Sequence, residues 1–253
     1  MARYDESFWR RVVAHARPVA LMGSLRRLVE NQEQKVTLRL TDDLAEHDVL
    51  ESLLEESKPE STAHPRLQQF DYLLRTPWRY PPLPWGSRFG RRFEPSLFYG
   101  ALDRVALFAE AAYYRLVFLE GMRKPFEERV ISQFTTFEAT FRSTEGYDLS
   151  QRPFRKYEAV LRHRSNYAPC QALGSVLRER GIEAITYLSA RTVDERLNVA
   201  LFSPVALRSR KHRNPRHGLC ETRKDGVSFR LGDELHVFPR EQFVVDGELP
   251  VPA

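Results

Sequence analysis

From Pro95 to Gly121 the chain reads PSLFYGALDRVALFAEAAYYRLVFLEG: a short apolar run of strand character, a turn, then an almost wholly apolar helix opened by Asp103 and closed near Gly121. Strand, turn, helix is the layout, and it fits an α+β fold. Just before it, LLRTPWRYPPLPWGSRFG is dense in proline and aromatic residues. Pro77, Pro81, Pro82 and Pro84 rule against helix there, so an ordered, irregular loop wrapping over a site is expected.

The flanking segments follow the same logic. Residues 5–31 place Phe8, Val12, Val13, Ala16, Leu21, Leu25 and Leu28 at helical spacing, split or kinked by Pro18, and predict a helical N-terminal layer. A second helix is predicted over 42–57, with Leu44, Val49, Leu50, Leu53 and Leu54 on one face and Asp42 or Asp43 as cap. The polar stretch KPESTAHP then reads as a connector. Downstream, ISQFTTFEATF, EAITYLS and NVALFSP read as strands. PCQALGSVLRERG reads as a helix with Pro169 in its first turn and Gly181 past its end. RSRKHRNPRH reads as a basic loop, and CETR, VSFRL and ELHVF as closing strands separated by Asp225-Gly226 and Gly232-Asp233 turns. The expected fold is α+β, a compact mixed sheet with flanking helices. Its expected parts are a helical N-terminal extension (1–64), a central domain (65–208), and a basic loop with C-terminal strands packed on that domain (209–253).

Composition narrows the partners. A net charge of +5, from 39 basic and 34 acidic residues, suits an anionic substrate or partner and permits nucleic acid without requiring it. Cys170 and Cys220 are far apart and outside any CxxC pair, which suggests neither a disulfide framework nor a zinc site. The N-terminus lacks the apolar block of a signal peptide and no run of eighteen apolar residues occurs, so a soluble cytoplasmic protein is expected.

The chemistry-bearing residues gather around the strand–turn–helix unit. Arg75, Arg88, Arg91 and Arg92 precede or border it, and the guanidinium fork fits phosphate oxygens. Gly86 and Gly90 allow close approach of backbone to a ligand. Glu110 falls about two turns into the helix on a stripe otherwise made of Ala106, Leu107, Ala111 and Tyr114, where a carboxylate sits either at the helix edge or inward for function. Tyr99 fits a core tyrosine as well as a ligand platform, and Ser189 ends a strand before Arg191. No GxSxG, GxxxxGK[ST], GxGxxG or HExxH pattern occurs, and His212 and His217 lack companions at metal-ligand spacing, so metal catalysis is not expected.

The ordered series GSRF, PSLFYGA, an alanine-rich helix carrying a glutamate, CQALGSVLRERGIEAITYLSAR and NVALFSP resembles the RES domain family over roughly Leu73 to Pro204. That resemblance implies a fold like that of ADP-ribosyltransferases and a bacterial toxin that destroys NAD+, as NAD+ phosphorylase or NAD+ glycohydrolase, silenced by an Xre-type antitoxin. It places the family's arginine on Arg88, tyrosine on Tyr99, glutamate on Glu110, serine on Ser189 and an upstream arginine on Arg75. Arg88, Glu110 and Ser189 are then the expected catalytic residues, with Arg75, Arg88, Tyr99 and Ser189 binding substrate. Arg91 and Arg92 lie close enough to take the place of Arg88. NAD+ is expected as substrate rather than cofactor, and inorganic phosphate as a candidate co-substrate. The antitoxin is the expected partner, with nucleic acid engaged only through it, no membrane, and a homo-oligomer allowed. Two other function classes fit the residues: an ADP-ribosyltransferase modifying a macromolecule, and a basic nucleic-acid-binding module without catalysis.

Overall fold

The computed structural model describes residues 3–30, 64–79, 82–123 and 128–251, with Glu46, Val49 and Leu53. The helix predicted over 42–57 and the connector after it lie outside the described residues, apart from those three, which are helical, and the final residues of the connector.

Helix α1 (Glu6–Ala14) is capped by Asp5, whose side chain accepts from the Phe8 amide. Pro18 separates it from strand β1 (Val19–Glu30). The helical reading of 5–31 is therefore corrected in its second half. Leu21, Leu25 and Leu28 carry a spacing that suits a helix, but pairing with a long partner strand over ten successive residues, Leu21–Glu30, outweighs it. A second correction concerns Pro77, which sits inside helix α2 (Tyr72–Arg79). Asp71 caps that helix through the Leu74 amide, and Leu74 and Trp78 pack with Leu67, Phe70 and Phe98. Burial of these large side chains offsets the roughly 3 kcal/mol that an interior proline costs.

Strand β2 (Phe98–Ala101) leads into helix α3 (Arg104–Glu120), as the sequence predicts, with Asp103 accepting from the Ala106 amide and Gly121 at the C-cap. Strand β3 (Val130–Asp148) is the longest element among the described residues, burying Phe137, Ala139, Phe141 and Ser143 at alternate positions. Helix α4 (Ala168–Glu179), strands β4 (Ala184–Leu188) and β5 (Leu197–Leu201), and β6 (Arg213–Arg223), β7 (Gly226–Leu231) and β8 (Glu234–Pro239) complete the fold. The basic segment read as a loop is thus partly strand. Its opening is irregular, with Asn214 at φ 50° next to Pro215 and a break in register opposite Thr136 and Glu138, which hides the alternation.

The strands run in the order β1-β2-β5-β4-β3-β6-β7-β8, and β1 also pairs with β3. That extra pairing closes β1, β2, β5, β4 and β3 into a ring, and all five contribute to one buried cluster through Leu25, Phe98, Val199, Ala184 and Phe137. α1 and α4 pack together on one side through Trp9, Val13, Leu173 and Leu177. α3 lies over the β6–β8 extension through Phe108, Tyr113, Phe134 and Phe229. The fold is α+β with a mixed sheet, since β3 and β4 are parallel and their neighbours antiparallel.

α4 holds the Gly86–Gly90 turn directly. Gln171 Nε2 donates to the carbonyls of Trp85 (2.9 Å) and Ser87 (3.1 Å), and a Cβ at Gly174 would overlap the Phe89 carbonyl. Gly174→Ala is therefore expected to lower stability by about 1–3 kcal/mol, read from urea unfolding, because backbone must move to admit the methyl group.

Candidate active site

Glu110 reaches the end of β4 and the middle of β5 from α3. Its Oε1 accepts from Ser189 Oγ at 2.7 Å and from Asn198 Nδ2 at 2.9 Å. Oε2 faces the Arg191 guanidinium, whose Nε lies 4.0 Å away. One carboxylate oxygen is thus fixed by two neutral donors while the other remains available. Arg191 is itself buried, lying over the Tyr113 ring and donating to Tyr167 Oη at 3.1 Å. A partly exposed carboxylate in an apolar helix is held in place by groups from two strands and a buried cation.

Glu110, Arg88 and Tyr99 line one cavity of about 340 Å³, together with Asn198, Tyr167 and Tyr187. Arg88 comes from the Gly86–Gly90 turn, where Gly86 takes φ 76° and Ser87 bridges to Gly90. Its NH1 donates to the carbonyls of Leu161 (3.2 Å) and His163 (2.9 Å), and its guanidinium stacks 4.5 Å over Tyr167. Burial disfavours its charge, yet Tyr167, Cys170 and Glu110 outweigh that and raise its pKa above the usual guanidinium value. A fixed, permanently charged donor therefore shares a concavity with a fixed carboxylate.

Tyr99 has two faces. Its ring borders the cavity, while its hydroxyl accepts from the Phe89 amide at 3.0 Å and bonds Ser87 Oγ at 2.9 Å, tying β2 to the arginine-bearing turn. Burial pushes its pKa up to about 12, the two hydrogen bonds opposing that shift. The hydroxyl stays protonated at neutral pH.

Two expected site residues, Ser189 and Arg75, and the two alternatives to Arg88 take other positions. Ser189 is fully buried, donates to the Glu110 carboxylate and is absent from the cavity wall. Arg75 lies on α2 and lines neither this cavity nor the larger one beside it. Arg91, the alternative to Arg88, pairs with Glu6 at 2.7 Å and, like Arg92, is not part of the cavity lining. Sequence reasoning missed Asn198, whose signal was an amide inside an apolar strand, and Arg26 and Arg27, concealed by the helical reading of β1. Among the described residues, no group of three or more His, Cys, Asp or Glu side chains could hold a metal ion.

A family model described as the RES domain matches residues 64–222. Among solved structures, the chain resembles one titled as the M. tuberculosis MbcT–MbcA toxin–antitoxin complex, with 13% sequence identity and a TM-score of 0.44, over 82% of this chain and 92% of that one. No curated protein matches the sequence.

The Tyr99 hydroxyl supplies a partner to a buried amide that a phenylalanine cannot. Tyr99→Phe is expected to cost about 1–3 kcal/mol in denaturant unfolding and to speed hydrogen exchange at the Phe89 amide.

Proposed function

This chain belongs to the RES domain family, and on that premise we propose that it is an NAD+-degrading enzyme acting as the toxin of a toxin–antitoxin pair. The observation that carries the reading is the placement of Glu110 and Arg88 on one cavity, the carboxylate fixed through a single oxygen. In the proposed reaction the bond between the ribose C1 carbon and the nicotinamide nitrogen breaks, and its electron pair returns to the pyridinium ring. Nicotinamide then leaves as a neutral molecule without needing a general acid, and the barrier lies in the cationic sugar left behind.

Glu110 Oε2 is the group suited to that charge. A preorganised anion that need not reorient during the reaction stabilises the oxocarbenium-like transition state more than the ground state. Ser189 and Asn198 keep the carboxylate aimed, and the Arg191 guanidinium faces it from the buried side. Arg88 offers positive charge to the substrate's diphosphate or to an attacking phosphate, and the Tyr99 ring borders the departing nicotinamide. Either water or inorganic phosphate then adds at the same carbon, giving ADP-ribose or its 1-phosphate. With water, one proton is released.

The proposed partner is an Xre-type antitoxin protein that silences the enzyme by covering the cavity mouth. The proposed setting is the cytoplasm, where NAD+ is abundant; among the described residues no helix is long and apolar enough to cross a membrane. Transfer of the sugar to a macromolecule would use the same bond cleavage, and label retained on protein or nucleic acid after incubation with labelled NAD+ would replace the present reading with that one.

Glu110→Gln keeps shape and hydrogen bonds but removes the charge. It is expected to lower kcat for nicotinamide release by about a hundredfold or more while NAD+ still binds, and near-normal turnover would overturn the role given to Glu110. Mass spectrometry of the products with and without phosphate separates the phosphorolytic from the hydrolytic reaction.

A further inference from the structure

The chain continues past the family-matched segment, which ends at residue 222, and its tail returns to the site. After β8 comes a short 3-10 turn, Arg240–Gln242. A bridge between Val245 and Glu248 then closes the tail on itself, with Asp246 (φ 52°) and Gly247 (φ 83°) at the bend. Phe243 and Leu249 are buried in the cluster that α3 forms with the β6–β8 extension, alongside Phe108, Tyr113 and Phe229. That burial ties the tail down.

Three polar contacts leave the tail, and each ends one step from a group that lines or holds the cavity. Gln242 Nε2 donates to the Arg191 carbonyl at 2.8 Å. The Val244 carbonyl accepts from Arg164 Nη1 at 3.1 Å, and Arg164 follows His163, whose carbonyl accepts from Arg88. The Pro250 carbonyl accepts from Tyr113 Oη, and Tyr113 lies on α3 one turn beyond Glu110.

The contact at Arg191 has the most leverage on Glu110. The Arg191 amide donates to Ser189 Oγ at 3.1 Å, and that hydroxyl donates to Glu110 Oε1 at 2.7 Å. A hydroxyl that accepts from one neighbour has its own proton directed to the other, so the turn from Ser189 to Arg191 sets where the carboxylate is met. Arg162 grips the same turn, donating to the carbonyls of Ser189 (3.0 Å) and Thr192 (2.9 Å). The Arg191 side chain adds one hydrogen bond, to Tyr167 Oη, and its place over the Tyr113 ring, while its Nε and Nη1 make none among the described residues. The backbone carbonyl held by Gln242 is therefore a principal anchor of the turn.

Resting on the reading of Glu110 as the carboxylate that stabilises the sugar cation, we propose that the C-terminal tail is a positioning element of the active site and that it acts through Gln242. The Gln242 amide fixes the turn from Ser189 to Arg191, and the turn aims Glu110. Residues inside the family-matched segment face the substrate; the restraint on one of them comes from chain beyond it.

Gln242→Met and Gln242→Glu both remove the amide donor at similar side-chain length, and Gln242→Glu keeps the question open if Gln242→Met does not fold. Each is expected to lower kcat for nicotinamide release about threefold to tenfold, with KM for NAD+ within about twofold of wild type. Hydrogen exchange at the Arg191 amide should quicken in both. In a Glu110→Gln background the same substitutions should change kcat by less than about twofold, because no carboxylate charge is left to aim. An equal fall in both backgrounds would overturn the proposal, as would unchanged kcat in the folded variants. If the wild type releases no nicotinamide, the catalytic reading fails, and quickened Arg191 exchange still reports the hold of the tail on the turn. If the wild type turns over while kcat and Arg191 exchange are unmoved in the variants, this inference fails alone.

Discussion

The arrangement of the site depends on how one carboxylate is kept in an apolar helix. α3 buries Ala106, Phe108, Ala109 and Ala112 almost completely, and Glu110 stands between them. A carboxylate in that setting needs donors, and the ring of strands delivers them. Ser189 arrives at the end of β4, Asn198 within β5, and Arg191 just after β4. The same β5 pairs with β2, which carries Tyr99 and, through its hydroxyl, fixes the turn bearing Arg88. Cation and anion are therefore tied to one framework of short hydrogen bonds, and neither can shift without disturbing the other.

Much of this was legible in the chain because it is local. Asp103, the apolar run and Gly121 mark α3 by capping and period, while Pro169 and Gly181 bracket α4. Glu110 stood out as a charge on an apolar stripe. The partner of Ser189 is not legible, since a strand-end hydroxyl gives no hint of whether it faces solvent or a carboxylate on a distant helix. Arg91 and Arg92 resembled Arg88 in sequence, and only the turn geometry separates them: Arg88 is directed into the protein, while Arg91 meets Glu6 on α1.

The elements that depart from their local sequence pattern share a cause, which is non-local packing. β1 has apolar residues at a spacing compatible with a helix, but β3 offers it a continuous edge and Leu25 a place in the enclosed cluster. β6 carries Asn214 and Pro215, residues typical of loops, near its start and is recruited by the other edge of β3. Pro77 is carried in α2 by the burial of Leu74 and Trp78. In each case tertiary contacts outweigh a local preference worth at most a few kcal/mol.

The closure of the ring by β1 and β3 has a kinetic side. Leu25 meets Ala139, and Arg27 meets Phe137, so a strand made early in synthesis must await a partner far along the chain. Contacts of such sequence separation form slowly, because loop entropy is lost before they are rewarded. The wall that Arg27 gives to the cleft cannot be fixed by this pairing before β3 has been made, and nascent chains halted before β3 carry no finished pocket.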